Sequence, residues 1–192
     1  MAPVELAREL VVGAQDLVAY AHPADLQSSQ KTDAAKTSHF SLRPEAFTLA
    51  GAVADNAELQ DALARLALFA DFTPADFESL LSIAREVSFR EGERVVERGQ
   101  VEVGLHILVE GEVGVVFLDE ELAILPRGSF FGEISCLLGE PAVADIISRS
   151  PLRCLVIPPD EVETLLLAHP RVTLRMLKTE ARRLKTTDEV RA

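Results

Sequence analysis

Residues 130 to 146 read FFGEISCLLGEPAVADI: a glycine turn, one carboxylate at Glu133, an apolar half-helix, then Pro141, Ala142, Val143, Ala144 and Asp145. Such a stretch suits a small polar ligand held against exposed backbone, yet it contains no basic residue. The other residues able to do chemistry are dispersed. His22, His39, His106 and His169 fall in different segments, and no two have the spacing of metal ligands. His106 lies inside the apolar run GLHILV, where a half-buried structural histidine is the expectation. Cys136 and Cys154 read as buried small apolar residues in a reduced compartment. There is no P-loop, no nucleophile elbow and no paired histidine and carboxylate, so no catalytic residues and no metal site are expected, and the chain does not read as an enzyme.

The elements that must position this stretch follow from composition and periodicity. A chain of 192 residues, 48% hydrophobic and 26% charged, can bury one good core and carry an appendage. Net charge is −12. From residue 171 onward there are seven Lys or Arg against three Asp or Glu, a local +4, so residues 1 to 170 carry −16. The acidic body disfavours nucleic acid and anionic membrane, and the basic tail suits a helix that faces something acidic. No apolar run reaches the ~18 residues a membrane-spanning helix needs, and the N-terminus has acids where a signal peptide is positive, so a cytoplasmic location is expected.

Residues 1–22 place Leu6, Leu10, Ala14, Leu17 and Val18 on one stripe of an amphipathic helix, a detachable docking element. Residues 23–43 form a linker rich in serine and lysine and poor in large apolar side chains. Leading helices occupy 44–86. Leu59, Leu63 and Leu66 share one side, and Thr73 before Pro74 is an N-cap signal for a helix that buries Phe77, Leu80, Leu81 and Ile83. From 87 to 158 the pattern changes to seven or eight short strands with turns at Gly92, Gly99 and Gly111, which implies a small barrel or jelly roll. Helices return over 159–192, with Asp160 as an expected cap. In the last helix Leu174, Leu177, Ala181 and Leu184 make a narrow seam suited to a partner helix, and Asp188 ends it.

The order of these elements resembles the cyclic nucleotide-binding domain family. The segments that carry the likeness are LFADFTPADFESLLSIA, FREGERVVERGQ, GLHILVEGEVGVV, LPRGSFFGEISCLLGEP and PPDEVETLLLAHPRVTLRMLKTEARRL, covering residues 62 to 188 or so. The resemblance implies an α+β fold: an eight-stranded β-roll or jelly roll flanked by N-terminal helices and a C-terminal hinge and long helix. It also implies that the opening stretch is a phosphate cassette, with backbone N–H groups of Gly132 through Cys136, Ile134 and Ser135 among them, aimed at a cyclic phosphate. Glu133 matches the position that accepts the ribose 2′-hydroxyl, and Thr187 falls near the helix position that touches the base.

In one respect this chain departs from the pattern. Where nucleotide-binding members place an arginine after the cassette proline, followed by a small residue and then a Ser or Thr, it has Ala142, Val143, Ala144 and Asp145. Loss of one charge-assisted bidentate contact costs about 1.5–3 kcal/mol. If Asp145 faces the cassette, like-charge repulsion adds about 4 kcal/mol, whereas strand alternation also permits it to point outward. Arg149 and Arg153, on the following strands, are candidates to replace the missing cation. The expected ligand set is therefore Gly132, Glu133, Ile134, Ser135, Ala142, Val143 and Thr187 with little or no cyclic nucleotide affinity. No cofactor is expected; a haem would need Cys136 or His106 as axial ligand, and nothing in their spacing demands one. The transcription-factor members add a helix-turn-helix, which these 192 residues do not contain, so DNA is not an expected partner. Two functions remain: an interaction module that contacts a protein partner or another copy through its N-terminal and C-terminal helices, or a sensor of cyclic AMP, cyclic GMP or another small ligand that signals through its C-helix.

Overall fold

A computed structural model describes residues 56–191 of the chain, with side chains described over 57–185. The N-terminal helix, the linker and the start of the leading helical region lie outside these residues.

The leading helices are α1 (Asn56–Ala64), a 3-10 turn (Ala67–Phe69) and α2 (Pro74–Ile83). α2 starts where its local chemistry dictates. Thr73 accepts the Asp76 N–H through its hydroxyl at 3.3 Å, and the Asp76 carboxylate accepts the Thr73 N–H at 2.8 Å, a reciprocal capping box with Pro74 in the first turn. Leu59, Leu63 and Leu66 are all buried, as their spacing predicts.

Eight antiparallel strands form two four-stranded sheets. They are β1 (Arg85–Phe89), β2 (Arg94–Val96), β3 (Leu105–Glu110), β4 (Val113–Phe117), β5 (Glu120–Leu125), β6 (Phe130–Phe131), β7 (Asp145–Ser148) and β8 (Leu152–Ile157). One sheet has the order β1-β8-β3-β6 and the other β2-β7-β4-β5, the two layers of a β-roll. The first strand begins two residues before the expected boundary at 87. Gly111 makes the β3–β4 turn with φ 81°, and a Cβ there would press on the Pro151 carbonyl, so this turn requires glycine.

β3 and β8 are buried on both faces, which explains their unbroken apolar runs LHILV and CLVI. Leu105, Ile107, Leu155 and Ile157 face one core with the leading and C-terminal helices. Leu108, Cys154 and Val156 face a second core inside the roll, with Val87, Val113 and Ile146. His106 differs from the half-buried expectation: it is fully buried, stacked on Phe131 at 4.7 Å, with Nδ1 2.8 Å from the Gly104 carbonyl oxygen. Burial lowers its pKa to about 4, which keeps the ring neutral.

The roll is followed by α4 (Pro159–Ala168) and the long α5 (Pro170–Arg191). Asp160 does not cap α4. Pro158 takes the N-cap place without a side-chain hydrogen bond, and Asp160 lies inside the first turn, where its charge opposes the helix dipole favourably. α5 turns Val172 and Met176 into the helix-side core and is tied down by Arg175, which donates to the Leu68 carbonyl at 3.1 Å and pairs with Asp71.

Candidate functional site

The cassette begins where β6 ends. Gly132 adopts φ 88°, and a Cβ there would collide with the Gly104 carbonyl oxygen, so the turn excludes every other residue. It releases α3 (Glu133–Leu138), a helix of six residues. Cys136 fastens this helix to the sheet, its thiol donating to the Val103 carbonyl at 2.9 Å. Gly139 then ends it with φ 68° and an N–H bonded to the Ser135 carbonyl at 3.0 Å. Gly132, Glu133, Ile134 and Ser135 thus lie together in one turn of backbone.

The other end of the cassette is closed by main-chain bonds. The Ala142 N–H donates to the Gln100 carbonyl at 2.8 Å, and its carbonyl accepts the Gly99 N–H at 2.7 Å. The Ala142 methyl is buried in the inner core of the roll, and Val143 is half-buried beside it. Asp145 settles the alternation question: its carboxylate accepts the Arg98 N–H at 2.9 Å and lies 3.7 Å from the Arg94 guanidinium, so its charge is engaged on the β2 side. The two candidate replacement arginines are committed elsewhere. Arg149 pairs with Glu121 at 2.5 Å, while Arg153 bonds Glu86 at 2.6 Å and Glu110 at 2.9 Å.

Glu133 is the electrostatic centre of the site. It is 6% exposed, and its Oε2 is buried without a hydrogen-bond partner among the described residues. Its Oε1 lies 3.5 Å from Arg183 on α5. Burial, and then the nearby Glu180 charge, push its pKa up to about 7 against the opposing pull of Arg183. Arg183 itself donates to Glu180 at 2.7 Å and to the Phe130 carbonyl at 2.8 Å, with its guanidinium 4.8 Å above the Phe130 ring. The C-helix is therefore latched onto the start of the cassette by one arginine.

Thr187, which the resemblance sets near the base, lies on this helix, and its side chain is outside the described residues. Arg183, one turn earlier, was missed. Only the i,i+4 relation to Thr187 pointed to it, within a helix already rich in arginine and lysine. The arrangement offers a buried carboxylate, backbone groups and a helix-borne cation, all suited to binding. Both thiols have pKa values pushed up to about 12 by burial, so neither is a ready nucleophile or thiolate ligand. No metal-holding group of three His, Cys, Asp or Glu exists among the described residues.

A β-roll with a glycine-led cassette between β6 and β7, closed by a long C-terminal helix, defines a ligand-binding regulatory fold. Residues 86–169 match the family model described as the cyclic nucleotide-binding domain. A cGMP-dependent protein kinase of Plasmodium berghei is 35% identical over 94 residues, which cover 49% of this chain and 11% of the kinase. The chain thus spans about a tenth of that relative's length. Among solved structures, the regulatory subunit of a cAMP-independent protein kinase A from Trypanosoma brucei superposes with a TM-score of 0.60 at 17% identity, covering 71% of this chain and 50% of that one. A triple variant of that subunit, including a threonine-to-arginine change and bound to cAMP in the A site, superposes at 0.56 and 19% identity, covering 65% and 46%. At such identities the likeness is one of fold.

Proposed function

We propose that this chain is a non-enzymatic, cytoplasmic regulatory module that keeps the cyclic nucleotide-binding fold, binds cyclic nucleotide weakly or not at all, and acts through protein contacts made by its helices. The observation that carries this reading is the tail of the cassette. Ala142 stands where nucleotide-binding relatives place an arginine, and its methyl is part of the inner core. A cyclic phosphate monoanion held by backbone N–H groups without the arginine loses a charge-assisted contact that offsets its lost hydration. With Arg149, Arg153 and Asp145 engaged elsewhere, the loss rests on the missing arginine alone, about 1.5–3 kcal/mol or roughly one to two decades in affinity.

The trypanosome pair supports the same reading by analogy: a subunit of this fold is titled cAMP-independent, and a variant that gains an arginine is titled as bound to cAMP. The contacts would run through the apolar face of α5 and the amphipathic N-terminal segment, either to another protein or to a second copy. No described helix is long and apolar enough to cross a membrane. Titration calorimetry of the full chain with cyclic AMP and cyclic GMP is the test. Dissociation constants weaker than micromolar are expected, and micromolar or tighter binding of either nucleotide would replace this reading with that of a sensor.

A further inference from the structure

α5 has two unlike faces. Val172 and Met176 are 2% and 5% exposed against the body, whereas Leu174, Leu177 and Leu184 are 49%, 64% and 39% exposed, with Ala181 exposed between them. These four lie at a three-four spacing, so they form one continuous apolar seam on the outer side of the helix. Along one flank of the seam run Arg171, Lys178 and Lys185, repeating every seven residues and all exposed.

The first 22 residues of the chain carry the complement. Leu10 and Leu17 are seven residues apart, with Gly13 and Tyr20 at the alternate seam positions, and Glu9 and Asp16 repeat along one flank. Set parallel to α5 with Leu10 beside Leu174, the two sequences interlock. Glu9 falls beside Lys178 and Asp16 beside Lys185, the flank-to-flank relation of parallel two-helix pairs. In the same register Gly13 meets Leu177, Leu17 meets Ala181 and Tyr20 meets Leu184, so that at two of these levels a small residue faces a large one. An antiparallel arrangement loses this match, because it brings the acidic flank to Thr173 and Glu180.

We propose that residues 6–20 of this chain form a helix that lies parallel along the Leu174–Leu184 seam of its own α5, covering it. Charge favours this occupant over a second α5. Residues 1–22 hold Glu5, Glu9 and Asp16 against Arg8, a net −2, whereas each α5 from residue 171 carries +4. Residues 21–55 join the first segment to the body that carries α5, so the encounter of the two is intramolecular. The inference deepens the proposed function and rests on it only for its consequence: the two interaction surfaces hide one another until a partner separates them.

The test uses the full chain and no nucleotide, so its outcome is independent of the affinity reading. Gly13→Cys with Leu177→Cys is compared, under mild oxidation at micromolar protein, with the off-register pair Gly13→Cys and Leu184→Cys. The native Cys136 and Cys154 have strongly raised thiol pKa values and stay unreactive. The in-register pair is expected to form an intrachain disulfide roughly tenfold faster than the control. Adding Glu9→Lys and Asp16→Lys should abolish that advantage, and Lys178→Glu with Lys185→Glu should restore it. Equal rates for the two pairs, or a product linking two copies, would overturn the proposal. Leu177, Lys178, Leu184 and Lys185 are exposed, so their substitution leaves the roll folded, as circular dichroism would verify for every variant.

Discussion

The two ends of the cassette are built on opposite principles. At its start, Glu133 is a buried charge-bearing group held by a distant helix: Arg183 reaches it from α5 and anchors itself on the Phe130 carbonyl and ring. At its finish, Ala142 is held by two main-chain hydrogen bonds and a buried methyl, and its side chain contributes nothing polar. The first end pairs a buried carboxylate with a cation from another helix; the second is part of the inner core. Glycine geometry and ladder bonds position the loop at both ends, so its backbone does not depend on which side chain stands at 142.

The contrast can be broken most forcefully at Gly132. Gly132→Ala must place a Cβ against the Gly104 carbonyl in a left-handed conformation, and thermal unfolding should show a loss of about 3 kcal/mol or more. Next in size is the opposite end. Ala142→Arg buries an unpaired guanidinium in the inner core and should lower the unfolding midpoint by an amount corresponding to about 2–4 kcal/mol, while saturating cyclic nucleotide restores part of it; no restoration would mean that the cassette is scaffold only.

A smaller effect distinguishes the two ends by pH. Because the Glu133 pKa is raised in the folded state from 4.5 to about 7, its proton is held more tightly there than in the unfolded chain. The stability this confers is complete below about pH 4.5 and is lost as pH rises through about 7. Glu133→Gln should therefore flatten the fall in stability over this window when denaturant midpoints are compared. Arg183→Ala should do the reverse at neutral pH and above, leaving Glu133 and Glu180 facing one another, and increase hydrogen exchange along α5. The smallest change is expected at Leu167→Ala, 73% exposed on α4 and outside the α5 seam: the unfolding free energy of the roll should change by less than about 0.5 kcal/mol.

How much was legible in the sequence depended on the range of the interaction. The α2 start was readable because Thr73, Pro74 and Asp76 act within one turn. The β3–β4 hairpin was readable because Gly111 sits between two apolar runs. Asp160 misled because a residue able to cap is no guide to which peptide actually starts the helix, and Pro158 supplied the extended backbone instead. The full burial of His106 exceeds the expectation because a single polar residue in an apolar run does not itself report that Phe131 and the Gly104 carbonyl close over its ring.

The sequence by itself determined the order of elements, the roll, the glycine-led cassette and the absence of a cation in residues 130–146, since each follows from residue type and short-range spacing. Only the tertiary structure decided where charges end up. It brought Arg183 to Glu133 across 50 residues, turned Asp145 to the Arg98 amide and committed Arg149 and Arg153 to other carboxylates. The reason is physical: glycine turns and hydrophobic periodicity act through the local backbone, whereas an ion pair depends on which surfaces packing has already brought within a few ångströms.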